Sequence, residues 1–183
     1  MSFNISILGS TRGSNLEGLH EGLLNSTVKI VSVISNKSNA GILEKAKKLH
    51  LPAIYIEQTN FEKNLDQHLK NNKTDLLVLM GFMKILSSDF VSTWKNKIIN
   101  VHPSLLPKHA GLMNLAVHQA VLDHAERESG CTVHFVIDKV DAGKIIIQKS
   151  CAVFANDTAE SLKERVQKLE VEALVESIQI LSA

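Results

Sequence analysis

The stretch of residues 98–107, near the middle of the chain, is Ile98-Ile99-Asn100-Val101-His102-Pro103-Ser104-Leu105-Leu106-Pro107 and joins two different kinds of local structure. Its first half is mostly apolar and β-branched, as in a buried strand. Its second half holds two of the three prolines of the chain. Each proline fixes its own φ and keeps the preceding residue extended. The stretch therefore predicts a buried strand that ends in a rigid turn.

The end of this strand carries two polar side chains. Asn100 and His102 are two residues apart, so both point to the same face of the strand. A carboxamide can donate a hydrogen bond to a developing oxyanion, and an imidazole can carry a proton or, when protonated, stabilise negative charge. This pair suits acyl transfer. The alternative is a strand end with a capping asparagine and a surface histidine.

The composition fits one globular domain with a substantial core. The chain has 183 residues, of which 44% are hydrophobic and 21% charged, and its net charge is +1. Its scattered Lys and Arg residues give no electrostatic footprint for nucleic acid or a membrane surface. No apolar run reaches about 18 residues, and Cys131 and Cys151 lack disulfide or metal-ligand spacing. We expect a soluble cytoplasmic protein.

Strand and helix patterns alternate along the N-terminal half of the chain. Leucines recur at helical spacing from Leu16 to Leu23, and Thr59-Asn60-Phe61-Glu62 has the form of a capping box. Such alternation predicts a parallel sheet with helices on both faces. Predicted strands span residues 4–8, 29–34, 53–56, 76–80, 98–101, 132–137 and 145–153. Later helices are predicted at 115–127 and after a second capping box at 157–160, and the loop 138–144 is a hairpin connection or part of a longer excursion. The predicted fold class is α/β: a single-domain, Rossmann-like, mostly parallel sheet with a C-terminal helix.

The first predicted strand runs into a glycine-containing turn, Gly9-Ser10-Thr11-Arg12-Gly13-Ser14-Asn15-Leu16, and then a helix. Glycines permit a tight turn, and free N–H groups at a helix start attract an anion. Gly9 and Gly13 are spaced too far apart for GxGxxG, and no Lys-Ser/Thr pair completes a Walker A motif. The turn predicts a site for a single phosphate. The alternative is a turn that binds nothing.

Residues 98–107 closely resemble the signature of the folate-dependent formyltransferases, and Gly13-Ser14-Asn15-Leu16 resembles the phosphate loop of their phosphoribosylglycinamide branch. The resemblance covers essentially residues 1–183 and implies a single formyltransferase domain. It implies transfer of a formyl group from 10-formyltetrahydrofolate to the amine of glycinamide ribonucleotide in de novo purine synthesis. No metal, nucleic acid or membrane partner is implied, and the protein would be a monomer or homodimer. The alternatives are a related formyltetrahydrofolate-using transferase or hydrolase, and a non-catalytic small-molecule binding module.

The resemblance assigns catalysis to Asn100, His102 and Asp141. Asn100 and a protonated His102 would stabilise the tetrahedral oxyanion, and Asp141 would orient His102. From the residues alone, Asp141 would be a solvated turn residue. It stands in Asp-Ala-Gly where the family has Asp-Gly-Gly, so Ala142 needs either a φ without strain or a tolerated deviation.

The resemblance also implies two sets of binding residues. For the phosphorylated amine they are Gly13, Ser14, Asn15 and Glu170; for the folate they are Asn64, Met83, Lys84, Ile85 and Leu86. Two positions depart from the family, because Lys84 and Asn64 stand where an arginine is expected. We expect Lys84, or Lys63 beside Asn64, to take over part of the contact with the folate glutamate.

Four other histidines are expected to have neither a catalytic nor a metal-binding role. His134 alternates with apolar residues on a strand, which favours a buried, hydrogen-bonded side chain over a catalytic one. His109, His118 and His124 lack the spacing of metal ligands, so we expect a loop residue and helix-surface residues. The phosphate turn, Gly81–Lys84 and Asn100–His102 all follow carboxyl ends of predicted parallel strands, which is the edge where open α/β sheets bind ligands.

Overall fold

Seven strands form one mixed sheet in the computed structural model, which describes residues 2–183. The strands are β1 (Phe3–Leu8), β2 (Val28–Ser35), β3 (Ala53–Tyr55), β4 (Leu76–Leu79), β5 (Ile98–His102), β6 (Glu128–Phe135) and β7 (Ile145–Ala152). Their order across the sheet is β3-β2-β1-β4-β5-β6-β7. β1 to β5 run parallel, whereas β6 and β7 are antiparallel to their neighbours.

In the described part of the chain, six helices cover the two faces of the sheet. They are α1 (Leu16–Leu23), α2 (Gly41–Lys48), α3 (Phe61–Asn71), α4 (Ser88–Thr93), α5 (Leu115–Asp123) and α6 (Ala159–Ser182). Side chains of α1, α2, α5 and α6 share one core cluster, and those of α3 and α4 share the other. The predicted fold class is confirmed. Within residues 2–183, no helix combines the length and apolar character needed to cross a bilayer.

The central strands explain why the sequence reads as apolar runs. Ile7 of β1 and Val78 of β4 pack into the first core, while Leu8 and Leu77 point the other way into the second. All four side chains are fully buried. A strand covered by helices on both faces is mostly apolar, so its pattern is nearly continuous and not alternating.

Small residues bring α6 close to α1. A methyl group added at Gly22 would lie 2.6 Å from Val175 Cγ2, and one added at Gly18 would lie 2.9 Å from Val171 Cγ1. Both distances are shorter than a normal carbon contact. The two glycines therefore set the distance at which α6 crosses α1, and α6 carries Glu170 to the carboxyl ends of the strands.

The capping box predicted at Thr59–Glu62 is wrong. Asn60 precedes α3 with a left-handed φ of 52° and makes no side-chain cap. Glu62 instead accepts hydrogen bonds from the backbone N–H of Ser87, at 2.8 Å, and from its hydroxyl. Ser87 is the N-cap of α4, a helix that the pattern did not predict. Glu62 therefore joins two helices on the same face of the sheet.

The C-terminal helix begins one residue later than the predicted box. Thr158 and Ser161 form the reciprocal capping pair of α6. Asp157 accepts two hydrogen bonds from Arg165, at 2.7 and 2.8 Å, and so belongs to an ion pair. Two further bounds differ, since α5 ends at Asp123 and β6 already starts at Glu128. β6 and β7 are neighbours, so residues 138–144 lie in a long hairpin connection.

The strand order creates a crevice at one edge of the sheet. From β1 the chain moves outward through β2 and β3, and it then returns to add β4 on the other side of β1. The connections that leave β1 and β4 therefore diverge at their carboxyl ends. Such a switch point is where open α/β sheets bind ligands.

Candidate active site

A cleft of about 510 Å³ occupies this switch point, within the size range of small-molecule sites. It is lined by residues 11–15 after β1, 79–86 at the end of β4 and beyond it, 100–103 at the end of β5, and 111–114 before α5, with further residues from the loop after β6 and from α6. All three segments that the sequence placed at the strand ends contribute to it. The sequence motifs thus converge on one cavity.

The three predicted catalytic residues lie together at the floor of this cleft. His102 Nδ1 is 3.3 Å from Asp141 Oδ2, and both side chains are nearly buried. His102 Nε2 donates to the carbonyl of His109 at 3.2 Å. Asn100 lies on the same strand as His102, one pleat earlier, and borders the same cavity.

His134 links the asparagine to the aspartate. The antiparallel register of β5 and β6 sets Asn100 opposite His134, and a 3.3 Å hydrogen bond joins Asn100 Nδ2 to His134 Nε2. The same Nε2 lies 3.5 Å from Asp141 Oδ1. The other ring nitrogen donates to the carbonyl of Phe135 at 2.9 Å, which fixes the ring. His134 is buried and hydrogen-bonded, as predicted, and it also contacts two of the three catalytic candidates.

The backbone of the loop that carries Asp141 explains why alanine is accepted at position 142, where the family has glycine. The left-handed φ of 53° belongs to Asp141, and Ala142 is not among the residues of positive φ. A methyl group on Gly143 would lie 1.7 Å from the carbonyl oxygen of Phe135, so the glycine required by close approach is the one retained. The backbone N–H of Gly111 donates to Asp141 Oδ2 at 2.9 Å.

The charges of this pair follow from burial and contacts. Burial lowers the pKa of His102, and the nearby Asp141 carboxylate offsets this only in part. Burial therefore opposes the protonated imidazole that the resemblance implies, and the Asp141 carboxylate favours it. Burial by itself would raise the pKa of Asp141, but the contacts with His134, Gly111 and His102 outweigh it and lower that pKa. Asp141 is therefore an anion at neutral pH.

At the other end of the cleft, the predicted phosphate loop turns into α1. Gly13 has a φ of +63°, and an added methyl group would lie 2.5 Å from Ile42 Cγ1. Only glycine suits this position. Ser14 is exposed in the cleft, and Asn15 Nδ2 donates to Glu170 Oε2 at 2.7 Å. Burial raises the pKa of Glu170 to about 7.

The predicted folate residues divide into two groups. Met83, Lys84, Ile85 and Leu86 all line the cleft, and Lys84 also donates to Gln58. Asn64 lies on the exposed side of α3, where its Nδ2 donates to the carbonyl of Thr59 at 3.3 Å. Among the described residues 2–183, those lining the cleft do not include Asn64 or Lys63.

One hydroxyl connects the two loops of the cleft. Ser10 Oγ accepts from the backbone N–H of Met83 at 3.2 Å and donates to Asn36 Oδ1 at 2.7 Å. The backbone N–H of Ser10 donates to the carbonyl of Gly81 at 3.1 Å. The turn after β1 and the turn after β4 are thus tied together at both backbone and side-chain level.

Comparison with known proteins identifies the family. A sequence profile described as formyl transferase matches residues 3–178. The chain belongs to the formyl transferase family. Phosphoribosylglycinamide formyltransferase of Haemophilus influenzae is 37% identical over 174 residues, which cover 91% of this chain and 81% of that protein. The predicted family and its phosphoribosylglycinamide branch are confirmed, and membership implies a folate-derived formyl donor.

Solved structures and a longer protein are also similar to this formyl transferase. Phosphoribosylglycinamide formyltransferase from Brucella melitensis has a TM-score of 0.93 at 34% identity, over 100% of this chain and 97% of that one. The same enzyme from Anaplasma phagocytophilum has a TM-score of 0.92 at 35% identity, over 100% and 88%. The trifunctional purine biosynthetic protein adenosine-3 of Gallus gallus is 40% identical over 191 residues, and the chain spans only 18% of its length.

His118 of this formyl transferase was wrongly predicted as a helix-surface residue. It is 2% exposed and borders the cleft, and its Nδ1 is buried with no hydrogen-bond partner among residues 2–183. Burial, with a smaller contribution from Lys163, lowers its pKa to about 4. Helical spacing places it beside Val117 and Val121 on the buried face of α5, and that spacing was the signal available in the sequence.

Proposed function

We propose that residues 1–183 form one formyltransferase domain, which transfers a formyl group from 10-formyltetrahydrofolate to the amine of glycinamide ribonucleotide in de novo purine synthesis. The observation that carries this is that Asn100, His102 and Asp141 line one cleft together with a phosphate-type loop and the apolar segment 82–86. Two substrates with those chemistries would meet at these three side chains. We expect the enzyme in the cytoplasm, as a monomer or homodimer.

The phosphorylated amine binds at the start of α1. Free N–H groups of the turn at Gly13, the Ser14 hydroxyl and the positive end of the helix favour a phosphate. Glu170 and Asn15, which are paired across the cleft wall, contact the ribose or amide. This anchor directs the amine toward Asn100. Holding two reactants in attack geometry supplies a large share of the rate enhancement.

The folate binds along residues 83–86. Backbone groups of this segment and the side chains of Met83 and Leu86 border the pteridine, and Ile85, which is 78% exposed, gives an apolar rim. Lys84 stands near the solvent edge, where a cation suits the glutamate tail. An exposed pair of this kind contributes at most about 1 kcal/mol.

In the reaction, the amine nitrogen attacks the formyl carbon, and the carbonyl electrons move to oxygen. Asn100 donates to this oxyanion. Neutral His102 takes up the proton that the attacking amine loses, because the developing negative charge nearby raises the pKa of the imidazole, and it later returns this proton toward the leaving nitrogen. When the carbonyl reforms, the bond to the folate nitrogen breaks and that nitrogen receives the proton lost by the amine. Asp141 orients His102 and passes protons through water.

The decisive experiment measures formyl transfer to glycinamide ribonucleotide beside hydrolysis of the folate without it. Rapid transfer with negligible hydrolysis supports the proposal, and the opposite result would support the hydrolase alternative. Asp141→Asn should lower kcat by orders of magnitude with little change in either KM, because the contact acts mainly in the transition state.

A double variant tests whether Asp141 and His102 act as a unit. His102→Ala should damage kcat as much as Asp141→Asn, and the double variant should be little worse than either. Multiplicative losses would separate the two roles. Asp89→Asn, an exposed aspartate on α4, serves as the matched control and should retain normal turnover.

A further inference from the structure

Two histidines and a glutamate gather outside the cleft, where α5 ends. His109 Nε2 lies 2.7 Å from Glu126 Oε1, and the rings of His109 and His124 are stacked with centroids 5.7 Å apart. One ligand atom from each of the three residues lies within 4.8 Å of the other two. The sequence offered no metal-ligand spacing here, because the three donors come together only when α5 folds back beside the preceding loop.

We propose that His109, His124 and Glu126 bind a zinc-class divalent cation. Two imidazoles and one carboxylate are a ligand set for Zn²⁺ and neighbouring transition metals, whereas Mg²⁺ and Ca²⁺ prefer oxygen ligands alone. Zinc binds such atoms at about 2.0–2.2 Å. Because the three ligand atoms already lie near one another, small side-chain movements would bring them to this distance from one ion. His124 is also the C-cap of α5, where helix carbonyls favour a cation.

The surroundings permit an ion to enter. The side chains of His109 and Glu126 are 9% and 16% exposed, which makes them a partly buried pair, while His124 is exposed and gives access from solvent. Lys108 Nζ now lies 2.8 Å from Glu126 Oε2, but its side chain is 62% exposed. A lysine on the surface can swing away, since its ion pair adds little stability.

Backbone residues 109–111 connect the proposed metal site to His102 and Asp141. The carbonyl of His109 accepts from His102 Nε2, and the N–H of Gly111 donates to Asp141 Oδ2. A cation on the His109 ring would restrain this loop at its base. The bound metal therefore steadies the contacts to His102 and Asp141 without entering the cleft, which the ligand residues do not line.

Calorimetric titration of the full, tag-free chain with zinc sulfate tests the site. We expect one zinc per chain, no comparable binding of magnesium, and an affinity at least about tenfold lower in both His124→Ala and Glu126→Gln. His20→Gln, which removes a histidine on α1, is the matched control and should bind zinc as the parent does. Unchanged affinity in the two site variants, or no zinc binding by the parent, would overturn the proposal.

Amide hydrogen exchange tests the connection without relying on activity. Zinc should slow exchange in residues 109–114 of the parent severalfold and leave His124→Ala unaffected. If zinc binds but exchange of this segment does not change, the coupling to the catalytic loop is refuted. Because both readouts use the protein and the metal alone, their failure is distinguishable from a failure of the proposed formyl transfer.

Discussion

Glu170 allows the effect of burial on charge in the cleft to be measured. Its side chain is 7% exposed, and burial raises its pKa from the ordinary 4.5 to about 7, with the hydrogen bond from Asn15 acting in the opposite direction. The native protein therefore binds more protons than the unfolded chain between about pH 4.5 and pH 7. The contribution of this group to stability is fully present below the lower value and is lost as the pH rises through the upper one.

Glu170→Gln preserves the shape of the side chain and an acceptor for Asn15, but it cannot ionise. At about 1.4 kcal/mol for each pKa unit, the raised pKa corresponds to about 3 kcal/mol between the neutral and charged states. The free energy of unfolding of the variant, relative to the parent, should therefore increase by about 3 kcal/mol from pH 4.5 to pH 8. Most of the increase should fall between about pH 5 and pH 7.

Urea titrations followed by circular dichroism at several pH values across this range measure the difference directly. Glu164→Gln, an exposed glutamate on the same helix, is the control and should show no such trend. If the difference between Glu170→Gln and the parent stayed constant with pH, then Glu170 would not be a buried, largely neutral carboxyl, and the reasoning would be wrong.

Substitutions at Gly22, His118 and Lys84 test three other contacts. Gly22→Ala should lower the free energy of unfolding by about 1–3 kcal/mol through overpacking, and adding Val175→Ala should recover most of this loss in urea titrations; no recovery would contradict the stated clash. His118→Leu should raise the free energy of unfolding by roughly 1–3 kcal/mol because an unpaired buried nitrogen is removed. The parent should lose stability as the pH falls from about 6.5 toward 4, and the variant should not show this loss. If the parent and the variant lost the same stability over this pH range, the prediction would be wrong. Lys84→Ala should raise the folate KM up to about fivefold at low salt. Lys63→Ala, at a residue outside the cleft, should leave this KM unchanged. Equal effects of the two substitutions would contradict the folate contact proposed for Lys84.

The central strands of the sheet were predictable because they are buried on both faces. Continuous apolar runs such as Leu76–Leu79 leave few alternatives when turn residues flank them. Local capping was less predictable. Glu62 has the right spacing to cap its own helix, but it bonds to Ser87, a residue 25 positions away. A pattern in one segment does not reveal a competing partner brought in by the fold.

The site was predictable in part for the same reason. Strand ends of a parallel sheet meet at one edge, so the Gly13 and Asn100 segments could be placed together from topology. The contact of His134 with Asn100 depends on the register of an antiparallel pair, which the sequence did not specify. Likewise, Asn64 matched a family position in sequence, but the start of α3 holds it on the outer surface.

The Ser10 hydroxyl links the segment proposed to bind the folate to the turn that leads to the proposed phosphate loop. Because it holds Met83 on one side and Asn36 on the other, a change that shifts the folate segment must also displace the turn that leads to Gly13. If these segments bind the two substrates as proposed, remodelling residues 81–83 for a new formyl donor would also alter recognition of the amine. Residues 85 and 86 lie outside the contacts of Ser10, so substitutions there would leave the turn before Gly13 in place.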